Sequence, residues 1–349
     1  MGAGRRRPSC KFSDIMGNAL MEHQQRPTLM VVIVNYRTGN LVVDCLASLE
    51  SEVAAYPGTR VVVVDNDSRD GSADTIETAI KTRDWSGWAS LMRSPVNGGF
   101  AAGNNFAIRA ALGDAAAPDL FWLLNPDTRV HPGALKTFLD FFEANPTVGI
   151  AGNLLLYGNE MPWPFAFRFP SILSELERGA SFGPLTKLLR DHCVAKVMGT
   201  APEQVDSVSG ASMVVRRATL YAAGLMDEGY FLYYEETDFC RKALQQGWSC
   251  WYLPSAVVMH IAGQSTGLKD NQDSRIPRYW FDSRRRYFIV NHGKGYAIIA
   301  DVAWLAGHVW WRLLRRMRSR KDTVVPFLLR DFIARSALFN DAQALPVRA

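Results

Sequence analysis

Short apolar runs rich in β-branched residues alternate with amphipathic helical patterns, and this alternation restricts the possible folds more than any other feature of the chain. The runs are LMVVIVNY (29–36), RVVVVDN (60–66) and DLFWLLNPD (119–127). Continuous apolar runs of this length are typical of strands that are buried on both faces. Patterns such as NLVVDCLASLE (40–50) place apolar residues on one helical face between them. The sequence therefore predicts an α/β fold, with a mainly parallel sheet flanked by helices over residues 29 to 150.

The composition is that of a globular protein with a substantial core, since 48% of the 349 residues are hydrophobic and 21% are charged. A net charge of +5 is too small to identify a nucleic-acid partner, and we expect none. Five cysteines without a C-x-x-C pair argue against a disulfide framework or a zinc knuckle and favour a reducing compartment. Residues 1–27 carry a basic cluster but no apolar run after it, so we expect a disordered tail and not a secretory signal.

Polar side chains stand where the predicted strands end. Tyr36, Asp65 and Asp127 each lie at or just past the carboxyl end of a strand, which is the edge where such sheets bind their ligands. The first strand is followed by NYRTGN and not by G-x-G-x-x-G, which disfavours a dinucleotide-binding domain. Taken alone, Asn-Pro-Asp at 125–127 leaves two interpretations open. The aspartate is either a turn or cap residue, or a ligand for a divalent cation that bridges two phosphates.

The β-α pattern stops at about residue 157, where MPWPFAFRFP carries three prolines among aromatic residues and excludes a regular helix. Regular structure resumes with VDSVSGASMVVRRATL, which predicts a strand and a helix. FLYYEETDFCRKALQQG then joins an aromatic run to three acids and a helix, and CWYLPSAVVMHIAG predicts a strand that ends near His260. We therefore place one α/β domain at residues 28–268 and a separate helical region at 269–349.

The carboxyl-terminal region is basic and aromatic, and its longest helical pattern is GYAIIADVAWLAGHVWWRLLRRMRSRK (295–321). On a helix its polar residues gather on one stripe, which contains Asp301, His308, Arg312, Arg315, Arg316 and Ser319. The remaining residues include several tryptophans, so the pattern predicts an amphipathic helix with a tryptophan-rich face and cationic flanks, which suits a membrane interface. The polar residues disfavour a true membrane crossing. The alternative is a helix that packs on the α/β domain or on a partner subunit.

Seven segments in a fixed order carry a resemblance to a known family. They are VVIVNYRTGNLVVDCLASL, VVVVDNDSRDGS, NGGFAAGNN, FWLLNPDTRV, SGASMVVRR, YFLYYEETDFCRK and VVMHIAGQST. In this order they resemble the inverting family 2 glycosyltransferases of the GT-A fold, and more closely their bacterial rhamnosyltransferase-like branch. The resemblance covers roughly residues 28 to 295. It implies a Rossmann-like domain that transfers a sugar from a nucleotide-sugar donor.

The resemblance also implies a site for a divalent cation, Mg²⁺ or Mn²⁺. Asn125-Pro126-Asp127 matches the D-x-D position of the family, with Asn125 in place of the first acid, so Asp127 is the expected metal carboxylate. His260 matches a histidine that supplies a further metal ligand in similar enzymes. Because Mg²⁺ prefers oxygen ligands, an imidazole ligand favours tolerance of Mn²⁺. The alternative for His260 is a histidine that simply ends a strand.

The donor-binding residues implied by the resemblance lie at the ends of the first two strands and in a glycine-rich loop. The residues implied at the strand ends are Asn35, Tyr36 and Asp65, and Asn125 is a further expected donor-binding residue. Tyr36 would stack on a pyrimidine ring, and Asp65 would accept the N3 hydrogen of that ring. The alternatives are core packing for the tyrosine and a turn cap for the aspartate. The loop residues implied are Asn97, Gly98, Gly99, Gly103 and Asn104. Glycines there would let the backbone come close to a phosphate or a sugar.

The acid cluster at 235–238 is expected to carry the catalysis. Inversion at a sugar carbon requires one base that removes the proton of the acceptor hydroxyl while its oxygen attacks. Glu235-Glu236 aligns best with the Glu-Asp pair of the family, which makes Glu236 the expected base, and Asp238 is the alternative. Three acids before FCRKAL also suit a helix N-terminus, where the helix dipole favours negative charge.

The expected function is transfer of a sugar, with L-rhamnose from dTDP-L-rhamnose as the expected donor, to a lipid-linked saccharide or a polysaccharide of the cell surface. A UDP-hexose or UDP-N-acetylhexosamine is the alternative donor. A nucleotide-sugar-binding protein without catalysis is the alternative of another class. The expected location is cytoplasmic, peripheral on the inner face of the cell membrane.

Overall fold

The computed structural model describes residues 26–158, 161–162, 166–261, 275–317 and 325–342. The predicted tail therefore lies outside the described residues except for positions 26 and 27. The same holds for Ser319 and for the predicted domain boundary at residue 268.

The described elements begin with the β-α alternation that the sequence predicts. The strands are β1 (Leu29–Asn35), β2 (Thr59–Asp65), β3 (Ala89–Arg93), β4 (Leu120–Leu124), β5 (Thr128–Val130), β6 (Val148–Leu156), β7 (Ala166–Phe167), β8 (Glu203–Val205), β9 (Ser207–Val208), β10 (Ser212–Arg216) and β11 (Ser249–His260). The α-helices are α1 (Gly39–Ala55), α2 (Ser72–Thr82), α3 (Gly99–Leu112), α4 (Ala134–Ala144), α5 (Ile172–Ala180), α6 (Gly183–Leu188), α7 (Arg217–Ala223), α8 (Glu235–Gln245), α9 (Arg278–His292), α10 (Lys294–Met317) and α11 (Leu328–Ala334).

The main sheet has nine strands in the order β3-β2-β1-β4-β10-β6-β11-β5, with β8 paired to β11. Strand β1 is parallel to β2 and β4, β2 is parallel to β3, and β6 is parallel to β11. Strand β10 is antiparallel to both β4 and β6, while β5 and β8 are antiparallel to β11. Six of the nine strands therefore share one direction, which confirms the predicted mainly parallel sheet.

The apolar runs form the centre of this sheet because helices cover both of its faces. All five residues of β4 are buried, and so are six of the seven residues of β1. Within β4, the Trp122 indole donates a hydrogen bond to the Ser212 hydroxyl of β10 at 2.9 Å. A buried indole N–H requires such a partner.

Helices α5, α9 and α10 form a further layer, in which α5 and α10 touch backbone to backbone. A Cβ atom added to Gly179 would lie 2.2 Å from the Trp304 carbonyl oxygen, and one added to Gly307 would lie 2.5 Å from the Leu176 carbonyl oxygen. Real side chains do not fit at such distances, so the two glycines permit this close helix crossing.

A buried ion cluster joins the three helices of this layer. Arg284 of α9 donates to Glu175 of α5 at 2.7 Å through Nη2, and it also pairs with Asp301 of α10. The second oxygen of Asp301 accepts a hydrogen bond from the Ala337 amide at 2.7 Å. All three charged side chains are buried. Charges at this depth are stable only when they are paired and hydrogen-bonded.

This cluster corrects the predicted orientation of the long helix. Asp301 and His308 of the polar stripe face the protein interior and are buried, together with Trp304, while Trp310 is 49% exposed on the other side. The tryptophans therefore do not share one outer face. The exposed large apolar side chains of α10 are Ile299, Val302, Val309, Trp310, Leu313 and Met317.

Replacing Arg284 by methionine is expected to lower the free energy of unfolding by about 3–5 kcal/mol, because it leaves two buried carboxylates without their main cation. Chemical denaturation at pH 7 measures this loss. The matched control is Arg129→Met, because Arg129 pairs with Asp44 where both side chains are 53% exposed. The decrease in the free energy of unfolding in Arg129→Met should stay below about 1 kcal/mol. Equal effects of the two substitutions would contradict the role of the buried cluster.

Candidate active site

The carboxyl ends of β2, β1 and β4 form one rim because these strands are neighbours in the sheet. Asn35 and Asp65 stand opposite each other in the parallel register of β1 and β2. Asp127 follows β4 by three residues and is 4% exposed. The predicted placement of Tyr36, Asp65 and Asp127 at a shared edge therefore agrees with the topology.

The Asp65 carboxylate is held in place by its surroundings. Its Oδ1 accepts a hydrogen bond from Asn35 Nδ2 at 2.7 Å, and its Oδ2 accepts one from the Ser68 amide at 3.2 Å. Each carboxylate oxygen has a second lone pair, so both can accept a further hydrogen bond. This arrangement leaves Asp65 able to receive an N–H donor such as that of a pyrimidine base.

Asn35 is fully buried and its side chain is engaged within the protein. Besides Asp65, its Nδ2 lies 2.9 Å from the Ser72 hydroxyl, and its Oδ1 accepts hydrogen bonds from the Thr38 amide and hydroxyl. These contacts assign it to positioning Asp65 and the turn into α1. Direct contact with a donor stays a prediction for Tyr36, which is half-buried.

Arg37 is a residue at this rim that the sequence reasoning did not select. Its guanidinium lies 5.0 Å from the centre of the Tyr36 ring, a cation–π distance, and its φ of 60° is in the left-handed region. Its amide donates to the Ser68 hydroxyl at 3.0 Å. A non-glycine residue in this conformation costs free energy, and such residues cluster at binding sites.

The glycine-rich loop is tied to the end of β2 by Asn66, which the sequence reasoning also missed. The Asn66 side-chain amide donates to Asn97 Oδ1 at 2.9 Å and to the Gly99 carbonyl at 3.1 Å. Gly99 has φ +84°, and a Cβ added there would lie 1.9 Å from the Phe231 carbonyl oxygen. Only glycine fits this position.

The other predicted loop residues serve packing inside or at the start of α3. A Cβ added to Gly103 would lie 2.7 Å from the Val34 side chain, so this glycine brings α3 close to β1. The Asn104 side chain is buried and donates to the Phe100 carbonyl at 2.9 Å. Gly98 lies against Ala102, 2.5 Å from an added Cβ. These three residues support the loop through packing and a hydrogen bond inside the protein.

The expected cation ligands meet where β5 pairs with β11. Thr128 and His260 are antiparallel partners, and the Ile261 amide donates to the Asp127 carbonyl at 3.0 Å. His260 Nε2 therefore lies 3.3 Å from Asp127 Oδ1, and Asn125 Nδ2 also lies 3.3 Å from the same nitrogen. One carboxylate and one imidazole fit a Mn²⁺ or Mg²⁺ ion that takes its other ligands from phosphate and water. The site offers two such side chains, and within the described residues no group of three or more His, Cys, Asp or Glu side chains is placed to hold a metal.

The acid cluster opens α8 after a strained turn. Tyr233 and Tyr234 have φ values of 72° and 71°, both left-handed, and α8 begins at Glu235. Upstream, the Phe231 carbonyl accepts a hydrogen bond from the Phe100 amide at 3.0 Å. The glycine-rich loop and the segment before the acids are thus in backbone contact.

The three acids have different environments. Asp238 is fully buried, with Lys242 Nζ and Asn291 Nδ2 each 2.6 Å from one of its oxygens. Asn291 belongs to α9, so Asp238 holds α9 on α8. Glu235 is also buried, whereas Glu236 is partly exposed. Glu236 is therefore the acid of the cluster that is most accessible to a substrate.

Burial also changes the proton affinity of the glutamates. It raises the pKa of Glu235 well above the ordinary 4.5, and the nearby charge of Glu236 adds to the shift. Burial likewise raises the pKa of Glu236, opposed by hydrogen bonds from backbone N–H groups. A raised pKa brings a carboxylate closer to the proton affinity that a general base needs near neutral pH.

Replacing Glu235 by glutamine is expected to raise the melting temperature at pH 8 by roughly 2–4 °C, the shift for about 1 kcal/mol in a domain of this size. The folded carboxyl keeps its proton to a higher pH than the unfolded one, so its contribution to stability falls as the pH rises through the folded pKa. The gain should shrink towards pH 5. Calorimetric scans across this range test the sign, with exposed Glu143→Gln as the control. A gain that is independent of pH would contradict this account.

Comparisons with known proteins show the family to which this chain belongs. The sequence model of glycosyl transferase family group 2 matches residues 120–339, and that of glycosyl transferase family 2 matches residues 30–184. The first match alone covers more than half of the chain. This chain belongs to the family 2 glycosyltransferases. The predicted family and the predicted enzyme class are both confirmed.

A curated relative places this glycosyltransferase in the rhamnosyltransferase-like branch. It is similar to the N-acetylglucosaminyl-diphospho-decaprenol L-rhamnosyltransferase of Mycobacterium tuberculosis, with 28% identity over 315 residues. The alignment covers 86% of this chain and 94% of the relative.

Solved structures confirm the GT-A fold of this glycosyltransferase. The mannosyltransferase PcManGT from Pyrobaculum calidifontis, in complex with GDP-Man and Mn²⁺, superimposes with a TM-score of 0.54 at 15% identity, covering 89% of this chain and 81% of that chain. GalNAc-T7 with UDP, GalNAc and Mn²⁺ gives a TM-score of 0.56 at 14% identity, covering 89% of this chain and 57% of that chain.

Proposed function

We propose that this enzyme transfers L-rhamnose from dTDP-L-rhamnose, with inversion, to a lipid-linked saccharide used in cell-surface glycan synthesis. The observation that carries the proposal is the backbone contact between the glycine-rich loop and the segment before the acids, Phe100 N–H to Phe231 O at 3.0 Å. It joins the expected donor loop to the expected base, beside the rim that carries Asp65 and Asp127.

Two findings support the donor and the acceptor. The mycobacterial relative, aligned over nearly its whole length, is by name an L-rhamnosyltransferase that acts on N-acetylglucosaminyl-diphospho-decaprenol. At the rim, Tyr36 and Asp65 offer an aromatic ring and a hydrogen-bond acceptor, as a pyrimidine nucleotide requires. Because dTDP and UDP share that pyrimidine edge, a UDP-hexose or UDP-N-acetylhexosamine is the second candidate donor.

In the proposed mechanism, one residue of this chain accepts the proton of the acceptor hydroxyl, and others hold the donor and its departing diphosphate. Glu236 takes the proton of the acceptor hydroxyl while the hydroxyl oxygen attacks the anomeric carbon, and the bond to the nucleotide diphosphate breaks on the opposite face. Asp127 and His260 would hold a divalent cation, which supplies positive charge to the diphosphate. Asp65 and Tyr36 would hold the base at the far end of the donor.

The exposed face of α10 supports a place on the inner surface of the cell membrane. Between Lys294 and Arg312 no exposed residue of this helix is polar or charged. Among the described residues, α10 is also the one helix whose length and hydropathy would allow a membrane span. Because its other face is packed on α5, we propose that the helix lies along the membrane surface, with its cationic ends near anionic lipid headgroups.

A thermal-shift panel of nucleotide sugars tests the donor assignment. A ligand that binds only the folded protein stabilises it by about 2.7 kcal/mol at one hundred times its Kd. We expect dTDP-L-rhamnose with Mn²⁺ to give the largest increase in melting temperature, and the increase to shrink when EDTA replaces the metal. A larger shift from a UDP-sugar would support the second donor. No shift from any pyrimidine nucleotide would contradict the proposal.

A further inference from the structure

An apolar groove lies between α5–α6 and α10. Its walls include Leu176, Phe182, Leu185 and Leu188 on one side and Ala306 and Trp310 on the other, and none of its lining residues is charged. Its volume is about 450 Å³, within the usual range for sites that bind small molecules. Leu188 is 78% exposed at its margin. A groove of this composition is unfavourable when filled with water and favours a hydrocarbon occupant.

The groove opens onto the exposed apolar face of α10, because Ala306 and Trp310 belong to both. That face extends from Ile299 to Met317, which on a helix is about 27 Å. Its exposed charges lie at the ends, at Lys294 and at Arg312 with Arg316. Cations that flank an apolar stripe complement an anionic lipid surface.

One wall of the groove also reaches the catalytic segment. Arg178 lies in α5 between Leu176 and Ala180, and its Nη1 is 3.4 Å from the Tyr234 hydroxyl. Tyr234 is the residue before Glu235. The guanidinium also lies 5.0 Å from the centre of the Trp280 ring. Arg178 also donates to Glu175 at 2.7 Å, so it links the helix that forms one wall of the groove to the residue before the acids.

We propose that this groove holds the polyisoprenyl chain of the lipid-linked acceptor. The inference rests on the proposed function and adds where the lipid lies. The chain would enter from the bilayer along α10 and fill the groove, while the diphosphate would pass Arg178 and the saccharide would reach Glu236. The apolar face of α10 supplies the entrance, and the exposed cations at its ends complement the anionic lipid surface from which the chain would enter.

The test compares two acceptors that carry the same saccharide diphosphate, one on a long polyisoprenyl chain and one on a short alkyl group, in mixed micelles. Ala306→Trp fills the groove. Ala222→Trp is the matched control, because Ala222 is exposed on α7, outside both the groove and α10. Equal melting temperatures show that both variants are folded. We expect Ala306→Trp to raise KM for the long-chain acceptor at least tenfold, with kcat and the short-chain KM unchanged, while Ala222→Trp matches the wild type.

A binding measurement separates this inference from the proposed function. Fluorescent polyisoprenyl diphosphate without a sugar should bind the wild type and lose at least tenfold in affinity in Ala306→Trp. If the wild type transfers no sugar but this loss is seen, the proposed function fails and the groove assignment stands. An unchanged long-chain KM or unchanged chain affinity in Ala306→Trp would overturn the groove assignment. So would an equal loss of binding to plain phospholipid vesicles, because the groove would then hold bilayer lipid.

Discussion

The Glu236→Gln enzyme is expected to lose about 10²–10⁴-fold in kcat, the usual contribution of a positioned general base. The amide is close in size to the carboxyl group but cannot accept the proton of the acceptor hydroxyl. Donor affinity should remain near the wild-type value because the change leaves the rim at Asp65 and Asp127 intact. Initial rates with saturating donor and acceptor measure the loss, and a thermal shift with the donor confirms that binding is retained.

Asp238 supplies the control that distinguishes the two candidate bases. Its carboxylate is buried between Lys242 and Asn291, so Asp238→Asn should lower the stability of the protein by loosening α9 on α8. It should affect turnover much less than Glu236→Gln does. A full loss of turnover in Asp238→Asn without loss of stability, together with near-normal turnover in Glu236→Gln, would make Asp238 the base.

Asp127→Ala is expected to reduce kcat/KM by at least about 10²-fold, since it removes the carboxylate that we propose to hold a cation against the diphosphate. It should also remove the Mn²⁺-dependent part of the stabilisation by the donor. His260 remains, but an imidazole without a carboxylate binds a hard divalent ion weakly. Mn²⁺ titration of activity and of the thermal shift measures both effects.

Asp44→Ala is the matched control for this experiment. Asp44 lies on α1 and is 53% exposed in its pair with Arg129, so its loss removes a negative charge outside the rim. It should leave the Mn²⁺ dependence unchanged. An Asp127→Ala enzyme that keeps its Mn²⁺-dependent stabilisation would show that the cation binds elsewhere.

The sequence was sufficient to predict those features that depend on local pattern. Runs such as LMVVIVN become central strands because both faces of the sheet are covered, and a strand's last residue must lie at the sheet edge. Asp65 and Asp127 lie at the same edge of the sheet, with β1 between their strands, because of the β2-β1-β4 order that β-α units favour. A resemblance to the family then supplied expected roles for these positions.

Features that depend on contacts between residues far apart in the chain could not be predicted from the sequence. The sequence predicted an amphipathic α10 with a tryptophan-rich face and a polar stripe, but not that Asp301 of this stripe is buried in a pair with Arg284 from another helix. No periodicity within α10 contains that information. The resemblance implies Gly103 as a donor-loop residue, and this stays a prediction; its packing against Val34 of β1 was not evident from the sequence.

The contact between the glycine-rich loop and the segment before the acids could not be predicted from the sequence either. Gly99 and Phe231 are far apart in the chain, and their backbones meet just before a turn in which Tyr233 and Tyr234 have left-handed angles. Bulky residues rarely adopt such angles, so no sequence rule would place them there. The acid cluster could be recognised as chemically important, but its approach to the glycine-rich loop required the structure.

A crystal structure with dTDP and Mn²⁺ tests the central claim most directly, with the metal located by its anomalous scattering. We expect one Mn²⁺ ion bound by Asp127 and His260 and by oxygens of the diphosphate, with the pyrimidine between Tyr36 and Asp65. A nucleotide bound away from the rim formed by β2, β1 and β4, or a metal with no contact to Asp127, would contradict the account.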